Sequence, residues 1–344
     1  MKKNINYISL LNVISCFAVV LLHTNGCFWQ FSTDPYWMSA NIIECLAYFA
    51  VPCFYMISGA TLLNYRERYS LQTYFVKRFG KTLIPFIAWS LIGLLFQILY
   101  FHSVEWSDLS LIYIYNGVMS SSFISVYWFF PALFCIYLCI PLFAAVEKSA
   151  KKETFTYLVA AGLLINAVIP FLRVVKYPNA AWPLSVGVVS GSLIYPLIGY
   201  LISEYELSKK QRMCIYALSI AGLLVHMIGT YSVSMQAGSV VSTYKGYNNL
   251  PCILYSAGIF TWFRYTGEKL MKIKWLEKLV LLISDYTFGI YLVHMFLIYF
   301  IRNSFTVDVT SILYRLGMPF IVVPIAVLII RIIKRIPVLR RIVP

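Results

Sequence analysis

Long apolar stretches alternate with short polar segments along the whole chain. A membrane-spanning helix needs about 20 mostly apolar residues, because the hydrocarbon core of a bilayer is about 30 Å thick. The pattern therefore predicts an all-α integral membrane protein with about ten transmembrane helices. The predicted spans are 8–28, 41–64, 82–102, 125–146, 155–172, 183–203, 213–232, 248–263, 279–300 and 311–330.

Lys and Arg are concentrated in every second segment between these spans. Basic residues collect in the cytoplasmic loops of membrane proteins, so the alternation predicts that both termini are cytoplasmic. The basic residues of the predicted inner segments are Lys2, Lys3, Arg66, Arg68, Lys77, Arg78, Lys81, Lys148, Lys151, Lys152, Lys209, Lys210, Arg212, Arg264, Lys269, Lys272, Lys274, Lys278, Arg331, Lys334, Arg335, Arg340 and Arg341. The other basic residues are Arg173, Lys176, Lys245, Arg302 and Arg315.

The composition excludes a soluble enzyme. Of 344 residues, 60% are hydrophobic and 12% are charged, whereas soluble domains carry about 25% charged residues. The net charge of +15 would suggest nucleic acid as a partner of a soluble protein. Here the membrane topology accounts for that charge, so we expect a lipid bilayer and no nucleic acid as partner. The eight cysteines form no CxxC motif or paired Cys/His spacing, and we expect no metal site.

Residues 1–344 are expected to form one transmembrane domain. No linker rich in Ser, Gly or Pro interrupts the chain, and no repeat of fixed period is present. The first apolar stretch is too long for a cleaved signal peptide, and no A-x-A-like site follows it, so we expect it to be retained. The sequence predicts no fused soluble domain and indicates no oligomeric state.

Few ionisable residues interrupt the predicted spans, and such residues are costly in a bilayer, so each is a candidate for function. His23 lies about 7 Å to the outer side of the centre of the first span, and His294 lies at a similar depth in the ninth. Glu44 opens the second span from the outside, where it can accept a proton or orient an imidazole. The alternative for each is a structural role, such as a histidine bonded to a backbone carbonyl.

Asn12 precedes His23 by three helical turns and faces within about 20° of the same direction, so both side chains can line one cavity. The alternative for Asn12 is a hydrogen bond to a neighbouring helix. At the predicted inner end of the third span, Arg78 and Lys81 share one helical face. That spacing suits the phosphates of a nucleotide-like ligand, although a basic cluster that only sets topology has the same composition.

Five stretches, in order on five of the predicted helices, resemble the membrane acyltransferase-3 family, whose members acylate cell-surface sugars in bacteria. The stretches read LNVISCFAVVLLH at 11–23, VPCFYMISG at 51–59, RFGKTLIP at 78–85, YWFFPALFCIYLCIPL at 127–142 and YTFGIYLVH at 286–294. The histidine of the family's first helix is kept as His23. Its basic residue there falls on Asn12, and the second basic residue of the third-helix RxxR motif falls on Lys81.

The resemblance implies a multi-pass protein of the bacterial plasma membrane. Its expected activity is transfer of an acyl group, usually acetyl, from cytoplasmic acyl-CoA to a hydroxyl of a surface polysaccharide or lipid-linked sugar. The expected donor-binding residues are Arg78, Lys81 and Asn12, since they are expected to line the channel by which the donor enters from the cytoplasm.

His23 is the predicted general base, because an imidazole titrates near neutral pH, and Glu44 or His294 is expected to orient it. Trp128, Tyr291 and Ser58 are the predicted substrate-binding residues. The indole of Trp128 or the hydroxyl of Tyr291 can supply an oxyanion donor, and Ser58 is as consistent with helix packing as with a nucleophile.

Two other functions remain compatible with the sequence. A transporter of a glycan or lipid-linked intermediate would also have about ten helices with a few buried polar groups, but we find no pair of inverted repeats with matching broken helices. A membrane scaffold or sensor would leave the layer of His23, Glu44 and His294 unexplained.

Overall fold

The computed structural model describes residues 6–177 and 179–344. Within these ranges the chain is all-helical and contains no strand, as predicted. The α-helices are α1 Asn6–Thr24, α2 Pro35–Ala47, α3 Ala50–Leu62, α4 Leu71–Phe96, α5 Leu111–Met119, α6 Phe129–Ala144, α7 Lys151–Gly162, α8 Ile169–Lys176, α9 Ile194–Glu204, α10 Lys209–Ala237, α11 Leu250–Leu270, α12 Lys274–Ser284, α13 Thr287–Ser304 and α14 Ile312–Arg335. Lys2 and Lys3, used above to predict a cytoplasmic N-terminus, lie outside the described residues.

Within the described ranges, seven helical segments are long and apolar enough to cross a membrane, and an eighth results if α12 and α13 together form one span. Those two helices meet at a bend of 73°. The seven segments are Tyr7–Thr24, Pro35–Glu67, Leu71–Phe101, Ser125–Ala144, Lys151–Lys176, Lys209–Ala237 and Ile312–Arg335. The predicted count of about ten, and the side on which the termini lie, stay predictions.

Two predicted spans account for the difference in number. The span predicted at 183–203 contains α9, which has only 11 residues. Such a helix is about 16 Å long and is too short to cross the hydrocarbon core by itself. The span predicted at 248–263 corresponds to α11, which has 21 residues but includes Arg264 and several small polar side chains that lower its hydropathy.

Local sequence signals explain where several helices begin. The hydroxyl of Ser70 accepts a hydrogen bond from the backbone N–H of Thr73 at the start of α4. Ser208 and Gln211 form a reciprocal capping box at the start of α10. These side chains satisfy N–H groups that the first turn of a helix leaves without a partner.

Helix α1 lies at the centre of the bundle and contacts α3, α11, α13 and α14. Its central position explains why both of the polar residues singled out on it, Asn12 and His23, face other helices instead of lipid. The bend between α12 and α13 lies beside the N-terminal half of α1, where Thr287 contacts Asn12.

Helices α3 and α9 pack backbone to backbone at two glycines. A Cβ atom added to Gly59 would lie 1.9 Å from the carbonyl oxygen of Pro196, and one added to Gly199 would lie 2.1 Å from that of Met56. Only glycine fits such contacts, which are typical of helix packing in membranes. This close contact holds the residue that precedes Gly59, Ser58, at a fixed position next to the candidate site.

Candidate functional site

Two cavities lie on either side of the side chains of Phe129 and Tyr291, which line both. The first, called here the His23 cavity, has a volume of about 320 Å³. The second, called the Arg78 cavity, has a volume of about 330 Å³. Both volumes fall at the lower end of the range of about 300–1,000 Å³ that small-molecule sites occupy.

The two cavities contain most of the residues predicted from the sequence. The His23 cavity is lined by His23, Glu44, Trp128 and Tyr291 together with Trp29, Tyr48, Ser125 and Tyr247 and several aliphatic side chains. The Arg78 cavity is lined by Asn12, Ser58, Arg78 and Tyr291 together with Thr61, Thr82, Tyr137, Thr287 and several apolar side chains. His294 and Lys81 line neither.

Aromatic rings form the partition between the cavities. The ring of Phe129 lies 5.4 Å from that of Tyr291 and is stacked on that of Tyr55 at 5.2 Å, both measured between centroids. The Tyr291 hydroxyl donates a hydrogen bond to the backbone carbonyl of Val126. This bond holds the ring in place and occupies the hydroxyl proton that was predicted to serve as an oxyanion donor.

His23 and His294 lie next to each other, with ring centroids 5.2 Å apart. Nδ1 of His294 is 2.6 Å from the carbonyl oxygen of Tyr291, one turn earlier on α13. A carbonyl oxygen only accepts, so Nδ1 carries the proton and Nε2 of the neutral ring keeps its lone pair. That Nε2 atom is buried and has no hydrogen-bond partner within the described chain.

Asn12 connects α1 to α13. Its side-chain amide donates a hydrogen bond of 2.8 Å to the hydroxyl of Thr287, and that hydroxyl donates to the carbonyl of Ser284. The amide thus bonds to a neighbouring helix and also lines the Arg78 cavity. Asn12 and His23 face the same way along α1, yet the aromatic partition places them in different cavities.

The side chains of Arg78 and Lys81 have different surroundings, although the two residues share one helical face. The guanidinium of Arg78 is half-buried in its cavity, where one N–H group lies 3.5 Å from the hydroxyl of Tyr69. Its Nε atom is buried without a partner, and no carboxylate of residues 6–177 or 179–344 forms an ion pair with it. Lys81 is exposed and does not reach this cavity.

Glu44 lies in the same cavity as His23 but is paired with a different residue. Its Oε1 atom accepts a hydrogen bond of 2.7 Å from the ammonium group of Lys245, and both side chains are almost completely buried. Its Oε2 atom is buried without a partner among the described residues. The ring of His23 thus contacts that of His294, whereas Glu44 forms a buried ion pair with Lys245.

Ser58 and Trp128 differ in their surroundings: the Ser58 hydroxyl is engaged within its own helix, whereas the Trp128 indole is open to the cavity. The Ser58 hydroxyl donates a hydrogen bond of 3.0 Å to the carbonyl of Phe54 within α3. The Trp128 indole stacks on the ring of Tyr247 at 5.3 Å and is 42% exposed, so it forms an open wall of the His23 cavity.

Sequence reasoning assigned no role to Lys245 or Phe129. Lys245 lies between α10 and α11, and the available signal was its position as a basic residue outside the predicted cytoplasmic segments. Phe129 belongs to an aromatic run in which no single residue stands out. Arg315, a second such exception, is also buried and donates a hydrogen bond of 2.9 Å to Ser39, which ties α14 to α2.

The fold and the site define a class of protein: a multi-pass, all-helical membrane protein with two cavities that meet at Phe129 and Tyr291, one of them lined by a histidine that lies next to a second, buried histidine. A model of the acyltransferase domain family matches residues 5–331, nearly the whole chain. The chain belongs to this family of membrane acyltransferases, as the sequence motifs predicted. No curated protein and no solved structure matches the chain. No group of three or more His, Cys, Asp or Glu side chains that can hold a metal ion occurs in the described ranges.

Proposed function

We propose that this protein transfers an acyl group, of which acetyl is the expected case, from acyl-CoA on the cytoplasmic side to a hydroxyl of a surface glycan or lipid-linked sugar. The bacterial plasma membrane is its expected location. The observation that carries the proposal is the pair of cavities that meet at Phe129 and Tyr291, one lined by the guanidinium of Arg78 and the other by His23, whose ring lies beside that of His294. Donor and acceptor can thus approach the same point from opposite sides.

The donor is assigned to the Arg78 cavity. An arginine without a carboxylate partner is suited to bind phosphate through two parallel N–H groups. The nucleotide of acyl-CoA is too large for a cavity of about 330 Å³, so it stays at the entrance near Arg78. The slender pantetheine arm then extends past Asn12 and Ser58 towards the aromatic partition, while exposed Lys81 contributes long-range attraction only.

The acyl transfer is assigned to His23. One ring nitrogen takes the proton of the acceptor hydroxyl while the hydroxyl oxygen attacks the thioester carbonyl carbon. The tetrahedral intermediate then breaks its C–S bond, and the CoA thiolate takes the proton back from the imidazolium. The products are an ester of the acceptor and free CoA, and no acyl-enzyme is needed. The Trp128 indole N–H is the remaining candidate from the sequence for stabilising the oxyanion.

His294 is assigned as a positioning residue. Its ring lies 5.2 Å from that of His23 between centroids, and its Nε2 atom has no partner among the described residues, so this atom can accept the N–H of the His23 nitrogen that does not react. This bond would select the tautomer whose other nitrogen is free to act as base. Catalytic hydrogen bonds of this kind are often long before substrate binds.

The test is transfer of labelled acetyl groups from acetyl-CoA to the envelope of cells, with membranes that contain the intact protein or His23→Ala. We expect labelling with the intact protein and its loss in the variant at an unchanged protein level. The same assay with Asn12→Arg asks whether the family's basic residue raises the activity. Absence of labelling with acetyl-CoA and succinyl-CoA, in the intact protein and in Asn12→Arg, would overturn the proposal and favour a transporter.

A further inference from the structure

The His23 cavity contains a buried carboxylate whose free oxygen the transfer reaction leaves unused. Glu44 is 2% exposed, and its Oε1 atom is bound to Lys245 at 2.7 Å. Its Oε2 atom is also buried and has no partner among the described residues. A buried acceptor without a donor costs free energy, which a ligand that donates a hydrogen bond there recovers.

Aromatic rings hold the pair and form the rest of the wall. The Lys245 ammonium lies 3.5 Å from the ring centroid of Tyr48, a distance typical of a cation–π interaction. The ring of Tyr48 stacks on that of Tyr247 at 4.2 Å and 3°, and Tyr247 stacks in turn on Trp128. Trp29, 56% exposed, also lines the cavity.

We infer that the Glu44–Lys245 pair and the indole of Trp128 form the acceptor site, and that it binds one uncharged sugar ring. This inference rests on the proposed function and names the substrate class of the same site. The apolar face of the sugar stacks on Trp128, and a hydroxyl next to the one that is acylated donates to Oε2 of Glu44. His23 lines the same cavity and takes the proton of the reacting hydroxyl.

The charges of the pair determine which sugars fit. The ammonium group of Lys245 is bound to Oε1 of Glu44 and packed against aromatic rings, so the polar atom of the pair that remains for a ligand is the carboxylate oxygen Oε2, which only accepts. A hydroxyl or acetamido N–H satisfies it, whereas a carboxylate or phosphate at this point is repelled. A volume of about 320 Å³ suits a single ring at the end or edge of a glycan.

The experiment compares two activities of the full chain with labelled acetyl-CoA. Transfer to an envelope glycan fraction needs both substrates, whereas slow hydrolysis of acetyl-CoA to acetate needs only the donor site and His23. In Glu44→Gln we expect the apparent KM for the glycan fraction to rise about tenfold or more, because a hydrogen bond to a charged group is weakened. The ratio of transfer to hydrolysis is therefore expected to fall, because only transfer uses the acceptor.

Glu44→Gln leaves Lys245 buried without its counter-ion, so a second variant is needed. The double variant Glu44→Leu with Lys245→Met removes both charges at similar volume, which buried ion pairs often tolerate. We expect the same rise in KM for the glycan fraction and the same fall in the ratio of transfer to hydrolysis. Glu105→Gln is the matched control, since Glu105 is exposed and lines neither cavity.

Each other outcome is decisive. Unchanged transfer in the double variant would show that the pair is structural and would overturn the inference. Loss of hydrolysis together with transfer, or a raised KM for acetyl-CoA, would instead place Glu44 in the chemistry or at the donor. If the intact protein neither transfers acetyl groups nor hydrolyses acetyl-CoA, the proposed function itself fails. That result differs from the two outcomes above, which concern only the variants.

Discussion

The imidazole rings of His23 on α1 and His294 on α13 lie with centroids 5.2 Å apart and planes 40° apart. The pair is asymmetric, because only His294 is bonded to the backbone of its own helix, through Nδ1 and the carbonyl of Tyr291. His294 is completely buried, whereas His23 is partly exposed and lines a cavity. The chemistry therefore falls to His23, and the fixed ring supports it.

Replacement of His23 by Asn is expected to lower kcat for acetyl transfer by about 10²–10⁴-fold, since that is the usual contribution of a general base. The measurement is the rate of ester formation from labelled acetyl-CoA at saturating donor. His102→Asn serves as the control, because His102 is exposed and its left-handed backbone conformation accommodates Asn. Full activity in the His23 variant would exclude this residue as the base.

Replacement of His294 by Asn is expected to lower kcat by up to about 10²-fold and to leave the KM for acetyl-CoA unchanged, because the base is misoriented but the donor site is intact. Steady-state kinetics across acetyl-CoA concentrations separate the two constants. A shift of KM alone would contradict a positioning role and would assign His294 to donor binding.

Arg78→Gln is expected to raise the KM for acetyl-CoA about tenfold or more, because the free guanidinium is the group assigned to the donor phosphates. Lys81→Gln, three residues further along α4, is the matched control with little expected effect at physiological ionic strength. The two variants should also differ in binding of desulfo-acyl-CoA analogues or free CoA by equilibrium dialysis. An equal loss in both would favour a diffuse basic cluster over a specific contact.

Phe129→Leu is expected to increase activity towards butyryl-CoA relative to acetyl-CoA by about tenfold, since a smaller side chain in the partition makes room for two more methylenes. The ratio of the two kcat/KM values is the measurement. Phe86→Leu is the control, because Phe86 is buried at 3% exposure but lines neither cavity. An unchanged ratio would mean that the acyl group does not pass Phe129.

Gly59→Ala is expected to destabilise the protein by about 1–3 kcal/mol, the usual cost of overpacking, because the new Cβ would overlap the carbonyl of Pro196 on α9. Gly80→Ala is the matched control: outside the neighbouring backbone of its own helix, no atom lies within 4 Å of its added Cβ, and Ala favours the helix. Thermal unfolding of purified protein in detergent measures the stability of both variants. Equal stability of the two variants would contradict the close packing of α3 on α9.

The sequence predicted which positions along two helices lie at the same level better than it predicted which side chains are in contact. His23 and His294 were expected at a similar depth, and their rings are adjacent. Depth follows from counting residues, because each residue of a helix adds a constant rise. Glu44 was expected to orient an imidazole, yet its partner is Lys245 from a loop some two hundred positions later in the chain, and no local pattern encodes such a contact.

The number of spans shows the same limit. An apolar stretch has the same hydropathy whether it forms one continuous helix, as at Leu71–Phe96, or two helices joined by a bend, as at α12 and α13. The residues 183–203 are apolar enough to suggest a span, but their helical part is α9, whose glycine packs against α3. Hydropathy measures the preference for an apolar surrounding and does not distinguish lipid from protein.

The sequence by itself determined the all-helical membrane class, the family and the set of polar residues from which a site can be built, because these follow from composition, periodicity and local motifs. Only the tertiary structure decided that Phe129 and Tyr291 divide that set between two cavities, that Arg78 reaches one of them while Lys81 does not, and that Lys245 holds Glu44. Such relations depend on how separate helices pack side by side, and packing is decided by contacts between residues far apart in the chain.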